Sequence, residues 1–444
     1  MTGAAVERAS RPGGPEADGR GAWPFVAVWL PSVVVIIGSG ACLFSLSWWL
    51  SQSARGGADL GLVVGGSSVI SLTTVALVSG RLDRADRRTA TIGLLLLLAA
   101  PIALLLVVLG PAHDLTTVLL AALCYVAVST GESLYLATTE TTAIDLAPGS
   151  WAPSRTALLT QIHSQVERVV APSAAGALLA GGEIRAVPLA ALVLVLAMLA
   201  VAFCARRPLD TATARARAEA AAAGPAAAGD GIWQSARAAL GLVRDHRDLV
   251  FLIQLGVLGN LVVFPFYAVL PAFLGDYAGG PADVALWYGR AATAYGLGML
   301  AGSALLVRGR KDVGGDRALG LAASCLGLIC LILLAATLTT RPWAVVGAMA
   351  VTGALFSVLV AVGGAVWLRR TPAPVRARVF SLRRLTVYSS IPFGTALMGL
   401  GGAAIGSRPF VRLIVLSVLV LLGAAWLRHR TTQNAHLAEK GSPS

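Results

Sequence analysis

Ala152-Pro-Ser-Arg-Thr-Ala157, followed by Val170-Ala-Pro-Ser-Ala-Ala-Gly-Ala177, has a counterpart late in the chain. There the sequence reads Ala373-Pro-Val-Arg-Ala-Arg378, followed by Ser390-Ile-Pro-Phe-Gly-Thr-Ala396. The first and second prolines stand 19 residues apart in one copy (Pro153 to Pro172) and 18 in the other (Pro374 to Pro392). In both copies a basic lead opens a long apolar run that carries its second proline inside. The basic segments Arg81 to Arg88 and Arg308 to Arg317 follow the second and the eighth apolar run. This spacing describes a chain built twice, six runs and then six more. Composition says which solvent the runs meet. Of 444 residues 56% are apolar and 13% charged, with a mean hydropathy of +0.76; a soluble domain carries roughly 25% charge. That excludes a soluble enzyme, a disordered chain and a disulfide scaffold, and leaves a polytopic membrane protein.

The apolar runs lie at about 25–50, 59–79, 90–110, 116–139, 156–181, 186–205, 249–274, 284–307, 318–338, 343–368, 379–405 and 409–427. Each is close to the roughly 20 residues a helix needs to span hydrocarbon. In lipid a single chain satisfies its backbone groups by forming helices, and prolines inside runs, such as Pro172 and Pro392, are tolerated as kinks. The fold class is therefore all-α integral membrane, with twelve transmembrane helices in two six-helix halves at 25–205 and 249–427. Tails occupy 1–24 and 428–444, and a linker 206–248. The first run is too long for a signal-peptide core and is expected to remain as helix one. With both tails cytoplasmic, 26 Lys/Arg fall inside and five outside: Arg55, Arg185, Arg341, Arg408 and Arg412. That bias sets the orientation in the cell (inner) membrane, so the net charge of +13 is topology rather than a nucleic-acid footprint. In the linker, Ile232, Trp233, Ala236, Leu240 and Val243 recur at helical spacing. This suits an amphipathic helix on the inner membrane surface or a solvated linker helix. The five cysteines lack metal-ligand spacing and read as small buried hydrophobes.

Four segments carry a family resemblance: Ile37-Gly-Ser-Gly-Ala-Cys-Leu-Phe-Ser-Leu-Ser-Trp-Trp49, Gly80-Arg-Leu-Asp-Arg-Ala-Asp-Arg-Arg88, Val169-Val-Ala-Pro-Ser-Ala-Ala-Gly176 and Arg376-Ala-Arg-Val-Phe-Ser381. With the repeated layout they resemble the major facilitator superfamily over residues 25–427, and within it the macrolide-efflux and enterobactin-exporter branch, the drug:proton antiporter-3 group. The family's loop after helix two reads Gly-x-Leu-Ala-Asp-Arg-x-Gly-Arg-Arg. Gly80, Asp83, Arg84, Arg87 and Arg88 match it; the chain is one residue short between Gly80 and Asp83, and Asp86 replaces the second Gly. The resemblance implies a gating loop, with Asp83 bonding to donors of the other half and the arginines holding the loop at headgroup level. In helix five, Pro172 and Gly176 match an antiporter motif, Gly-Pro-x-x-Gly-Gly, of which two Gly positions are Ala here. The resemblance further implies proton-coupled alternating access, with helices one, four, seven and ten lining the cavity.

Ionisable groups within spans are functional candidates, because burying them in lipid is costly. In helix five, Gln161, Ser164, Glu167 and Arg168 recur at three- and four-residue steps on one broad face, with His163 and Gln165 nearby. Glu167, near mid-span, is the first candidate for proton coupling, with Arg168 and His163 beside it. Adjacent residues point about 100° apart, so Glu167 and Arg168 need not pair. Glu132, about 24 Å in from the outer end of helix four, is a proton site, a partner for Arg168 or a packing group. Glu140 and Asp145 are expected at the inner interface as solvated carboxylates. Ser129, Gln254, Asn260 and Tyr295 are further cavity candidates. Arg290, Arg383 and Arg384 are placed to snorkel, and Trp48, Trp49, Trp287 and Trp343 to anchor at the outer interface. No phosphate-binding loop, metal cluster or nucleophile triad is present. The expected protein is not an enzyme and needs no cofactor beyond a proton gradient. Its partners are a small-molecule substrate and membrane lipid, without nucleic acid or an obligatory protein partner, and it is expected to be a monomer. The reading is export of an amphipathic antibiotic, drug or secondary metabolite. A siderophore exporter, an importer or uniporter of the same fold, and a non-transporting scaffold or sensor are the alternatives.

Overall fold

The computed structural model describes residues 22–82, 85–110, 113–146, 153–204, 206–223, 232–276, 279–308, 315–371 and 376–441. They form helices α1 (Trp23–Ser51), α2 (Gly57–Leu82), α3 (Arg87–Val108), α4 (Leu115–Leu146), α5 (Pro153–Ala180), α6 (Ala186–Cys204), α7 (Arg206–Ala223), α8 (Ile232–Asp245), α9 (Arg247–Gly275), α10 (Pro281–Arg308), α11 (Gly315–Leu338), α12 (Pro342–Arg370), α13 (Arg376–Tyr388), α14 (Ser390–Ile405) and α15 (Ser407–Gly441). Among the described residues nine of them, α1 to α4, α6, α9, α11, α12 and α15, are long and apolar enough to cross a membrane. The other three runs also form helices, α5, α10 and the α13–α14 pair. α5 and α10 are 28 residues long but diluted by polar and ionisable side chains, and α14 has only 16 residues.

The connections α1–α2, α3–α4, α5–α6, α9–α10, α11–α12 and α14–α15 gather at one end of the bundle, tied by side chains. Trp49 Nε1 donates to Gly110 O at 2.9 Å, and His113 stacks on the Trp49 ring at 4.4 Å. Trp48 Nε1 donates to Pro281 O at 3.1 Å, and Arg408 pairs with Asp276 at 3.7 Å. Trp49 is only 1% exposed, so it is a packing residue and not the interfacial anchor its position suggested. Two arginines act alike. Arg185 Nε donates to Leu109 O, just past α3, at 2.8 Å, and Arg412 Nη2 donates to Thr337 O in the last turn of α11, also at 2.8 Å. Each places a cation on open C-terminal carbonyls, where backbone acceptors lack partners and the helix dipole is negative.

One apolar core is shared by α1, α2, α3, α4 and α6, and another fills α8 to α15 and continues into α1, α5 and α6. The two sets meet along two seams, α5 on α10 and α2 on α14. Small residues permit the approach: a Cβ at Gly61 would stand 2.6 Å from the Gly399 Cα, and one at Gly176 2.9 Å from the Gly289 Cα. Both seams lie toward the end that carries the α1–α2 turn. No comparable seam joins α4 to α12 or α13 among the described residues.

Run eleven, expected as one helix, is two. Pro392 lacks an N–H for the Tyr388 carbonyl and its ring clashes with that turn, so the ladder breaks at Ser389. The freed acceptors are satisfied locally: Ser390 Oγ donates to Val387 O at 2.6 Å, Ser389 Oγ to Thr386 O at 2.9 Å, and Asn260 Nδ2 of α9 to Val387 O at 2.9 Å. In α5 the helix continues through Pro172.

The linker departs from expectation twice. Its first part, for which no helix was expected, is helix α7, which packs on α1, α3 and α4. Leu209 and Ala212 close a small core with Val28 and Leu146; the Ala-rich sequence is a strong helix former, and its apolar face has a partner. The expected amphipathic helix is α8, resting on α9 and α13 with Val243 buried and Leu240 exposed. At the C-terminus α15 runs beyond the expected end of run twelve because His429, 8% exposed, stacks on Phe251 at 4.8 Å.

Candidate functional site

In the middle of the bundle, two carboxylates and a guanidinium from α4 and α5 meet aromatic side chains from α9, α10 and α13. Their placement starts from α1, where Gly38-Ser39-Gly40 interrupts a helix of larger residues. A Cβ at Gly40 would stand 2.6 Å from Glu167 Oε1, so only glycine lets α5 bring this carboxylate against α1. Glu132 on α4 lies within electrostatic range of Glu167, with the Ser39 hydroxyl beside it. Ser39 Oγ already donates to Val35 O at 3.1 Å. Glu132 Oε2 is buried and has no hydrogen-bond partner among the described residues, an arrangement that persists only where a ligand, water or proton completes it.

Arg168 faces the other way. Its guanidinium lies 5.8 Å from the centre of the Phe264 ring of α9 and within electrostatic range of Tyr267, Tyr295 and Tyr388. The Tyr267 and Tyr295 rings are 5.5 Å apart, and Tyr295 Oη is buried without a partner among the described residues. The roughly 100° step between neighbours on α5 thus sends Glu167 toward α1 and α4 and Arg168 toward α9, α10 and α13. They feel each other's charge without forming a direct ion pair. Two carboxylates, one guanidinium and a set of aromatic rings are thereby distributed on both sides of one helix. Phe44 of α1 and Tyr288 of α10 stack at 3.9 Å and extend the aromatic contact between the sets.

The remaining sequence candidates fall in several places. Ser129 Oγ lies 3.2 Å from Ser71 Oγ in the α2–α4 contact. Gln254 is partly exposed on α9, and Asn260 is buried with its amide on the α13 break. Pro172 and Gly176 lie on α5, the latter in the α10 seam. The side chains of Gln161, His163 and Ser164 lie outside the described residues, as do Asp83 and Arg84. Gly80 is in the last turns of α2. In the following loop Asp86 caps α3, accepting from Thr89 N at 2.9 Å. Arg87 is turned into the protein: it is 5% exposed and Nη2 meets Asp145 Oδ2 at 3.3 Å. Asp145 is therefore no solvated carboxylate. Arg88 follows in the first turn of α3. Thr213 of α7 joins the cluster, accepting from Arg87 N at 3.0 Å and donating to Asp86 Oδ1 at 3.2 Å. Arg383 does not snorkel free of the protein, since its guanidinium lies 5.6 Å from the ring of buried Trp367. Ser39, Gly40, Phe264, Tyr267 and Tyr388 were not singled out from sequence; the Gly-Ser-Gly of α1 was the one visible signal.

No protein-family model matches the sequence, and no curated protein matches it. Solved structures do. A nucleoside transporter, NupG (D323A mutant), superposes with a TM-score of 0.69 at 13% identity, covering 91% of this chain and 99% of that one. A bacterial homologue of the human lysosomal transporter Spinster, inward-facing and unoccupied, gives 0.66 at 14% identity over 95% and 99%. A bacterial homologue of the iron transporter ferroportin gives 0.61 at 16% over 92% and 98%. The likeness shows the fold: the described residues form an all-helical, multi-pass membrane architecture of the kind these transporters have, the major facilitator fold.

Proposed function

We propose that the chain is a secondary active transporter of the inner membrane that exports an amphipathic small molecule in exchange for protons. Both termini are cytoplasmic, and α13 and α14 together make the eleventh of twelve spans. The observation that carries this reading is the pair Glu132 and Glu167 at mid-bundle, one of them with an orphaned oxygen, facing Arg168 and an aromatic wall across the two halves. Charges at that depth are costly without a task. Carboxylates that exchange a proton as the cavity opens to one side and then the other supply one. The aromatic rings suit a cargo that is itself apolar and ring-bearing. The seams lie at the α1–α2 end, which positive-inside counting places outside, so this state is closed outward. The looser end, with Asp86, Arg87, Asp145 and Thr213, faces the cytoplasm and forms the opposite gate. Asp83, immediately before it, is the residue we assign to locking that gate against the arginines of α13.

The test is accumulation in proteoliposomes under an imposed pH difference. Glu167→Gln keeps shape and hydrogen bonding but cannot titrate. It should still exchange cargo across the membrane but fail to concentrate it, a loss of at least tenfold in accumulation ratio. Accumulation equal to wild type would move coupling to Glu132 or remove proton coupling from this site. Inward accumulation, or equilibration only, would favour the importer or the uniporter.

A further inference from the structure

A second site lies away from the central charges, on the flank of the bundle. A groove of about 430 Å³ runs between α5, α10 and α12 toward the α1–α2 end. Its polar elements are Ser173, Thr293 and Arg290, with Trp287, Trp343, Leu297 and Val346 among the apolar ones. Ser173 Oγ and Thr293 Oγ1 are 2.7 Å apart across the seam. Arg290 is exposed, with its guanidinium 4.8 Å from the Trp287 ring centre. Arg341, just before α12, lies 5.9 Å from the ring of Trp343, a lining residue that is 59% exposed.

Arg290 is nine residues into α10 from Pro281, about 14 Å down the helix axis. The lining is mostly apolar, and snorkelling toward the helix end would carry this guanidinium to where hydrocarbon meets headgroups. The described residues offer it a ring face and no carboxylate. Asp283 is on the same face of α10 but two turns nearer the end, about 10 Å away along the axis. Two guanidiniums against one carboxylate leave the mouth net positive. A guanidinium presents a planar fork of donors matched to phosphate; it snorkels toward the headgroups, and tryptophans belong at that level.

We propose that this groove binds an anionic glycerophospholipid of the leaflet at the α1–α2 end. Its phosphodiester lies between Arg290 and Arg341, and an acyl chain lies along Leu297 and Val346. Because the walls come from α5 on one side and α10 and α12 on the other, the bound lipid bridges the seam between the two sets of helices.

The full-length protein, purified in mild detergent, is the material for the test. Native mass spectrometry with added phosphatidylglycerol should show a retained adduct, at least fivefold more abundant than with phosphatidylcholine. Arg290→Gln together with Arg341→Gln should lower the adduct at least fivefold, while Arg55→Gln, outside the groove, should not change it. In wild-type protein, bromine-labelled phosphatidylglycerol should quench tryptophan fluorescence more than the phosphatidylcholine equivalent. Trp287→Phe with Trp343→Phe should remove that difference. This second measurement needs no arginine variant and stands if the double variant fails to fold. Equal adducts in wild type and variant, equal quenching by both lipids, or displacement of phosphatidylglycerol by inorganic phosphate would overturn the lipid site.

Discussion

At Gly40 a missing side chain sets the position of a charged one. The Glu167 carboxylate occupies the space a methyl group would take, and a helix has little slack for moving a backbone a full ångström within a packed bundle. Gly40→Ala should therefore displace Glu167 and cut proton-driven transport at least tenfold while leaving detergent-extracted protein monodisperse. Glu167→Asp withdraws the carboxylate by about one methylene and should restore part of the activity in the Gly40→Ala background. If the single variant transports at the wild-type rate, the close approach has no role. Glu167 itself was legible from the sequence, because an acid in an apolar run stands out. Gly40 was not, since nothing in a helical pattern says which neighbour will cross at a given glycine.

Among the elements, the α13–α14 break shows how proline is accommodated differently in two related positions. Pro172 and Pro392 were matched from the repeat, and both were expected as kinks. Only Pro392 interrupts its helix, although side-chain donors stand beside both prolines: Ser389, Ser390 and Asn260 at one, Ser173 and Thr293 at the other. Asn260→Ala leaves Val387 O with one donor in place of two. It should lower unfolding stability by about 1 kcal/mol, read as a lower thermal midpoint in detergent. Asn260→Asp, which cannot donate when ionised, should fall at least as far. An unchanged midpoint in both would show that the serine hydroxyls suffice. The helices themselves were readable, because a run of about 20 apolar residues has one economical structure in lipid. The helix in the linker at α7 was hidden, since Ala- and Arg-rich sequence acquires its apolar face only by docking Leu209 and Ala212 on α1 and α4.

For the whole molecule, the closed face is open to covalent test. An ideal Cβ at Gly57 of α2 lies 3.6 Å from Ala272 Cβ of α9, within the range a disulfide spans. Gly57→Cys with Ala272→Cys should cross-link on oxidation, stop transport, and recover it with reductant. The native cysteines are buried except Cys204, which is replaced by Ser for the experiment. Transport that continues through the cross-linked protein would mean that this face does not open in the cycle. The general architecture could be read from repeat and hydropathy alone, but the conformational state could not. Local sequence specifies the helices, whereas the state depends on which ends of them touch.

The contacts that close that face carry almost no net charge: glycine against glycine, Ser173 with Thr293, Trp48 on a backbone carbonyl and Phe44 on Tyr288. At the opposite end the charged pairs lie within each set of helices, Arg87 with Asp145 and Arg370 with Asp248. Dissolved ions screen the half-exposed Arg370–Asp248 pair, affect the buried Arg87–Asp145 pair much less, and barely touch the uncharged contacts. In the orientation proposed above, a cell living through changes of external salinity would meet its surroundings with the face least affected by them.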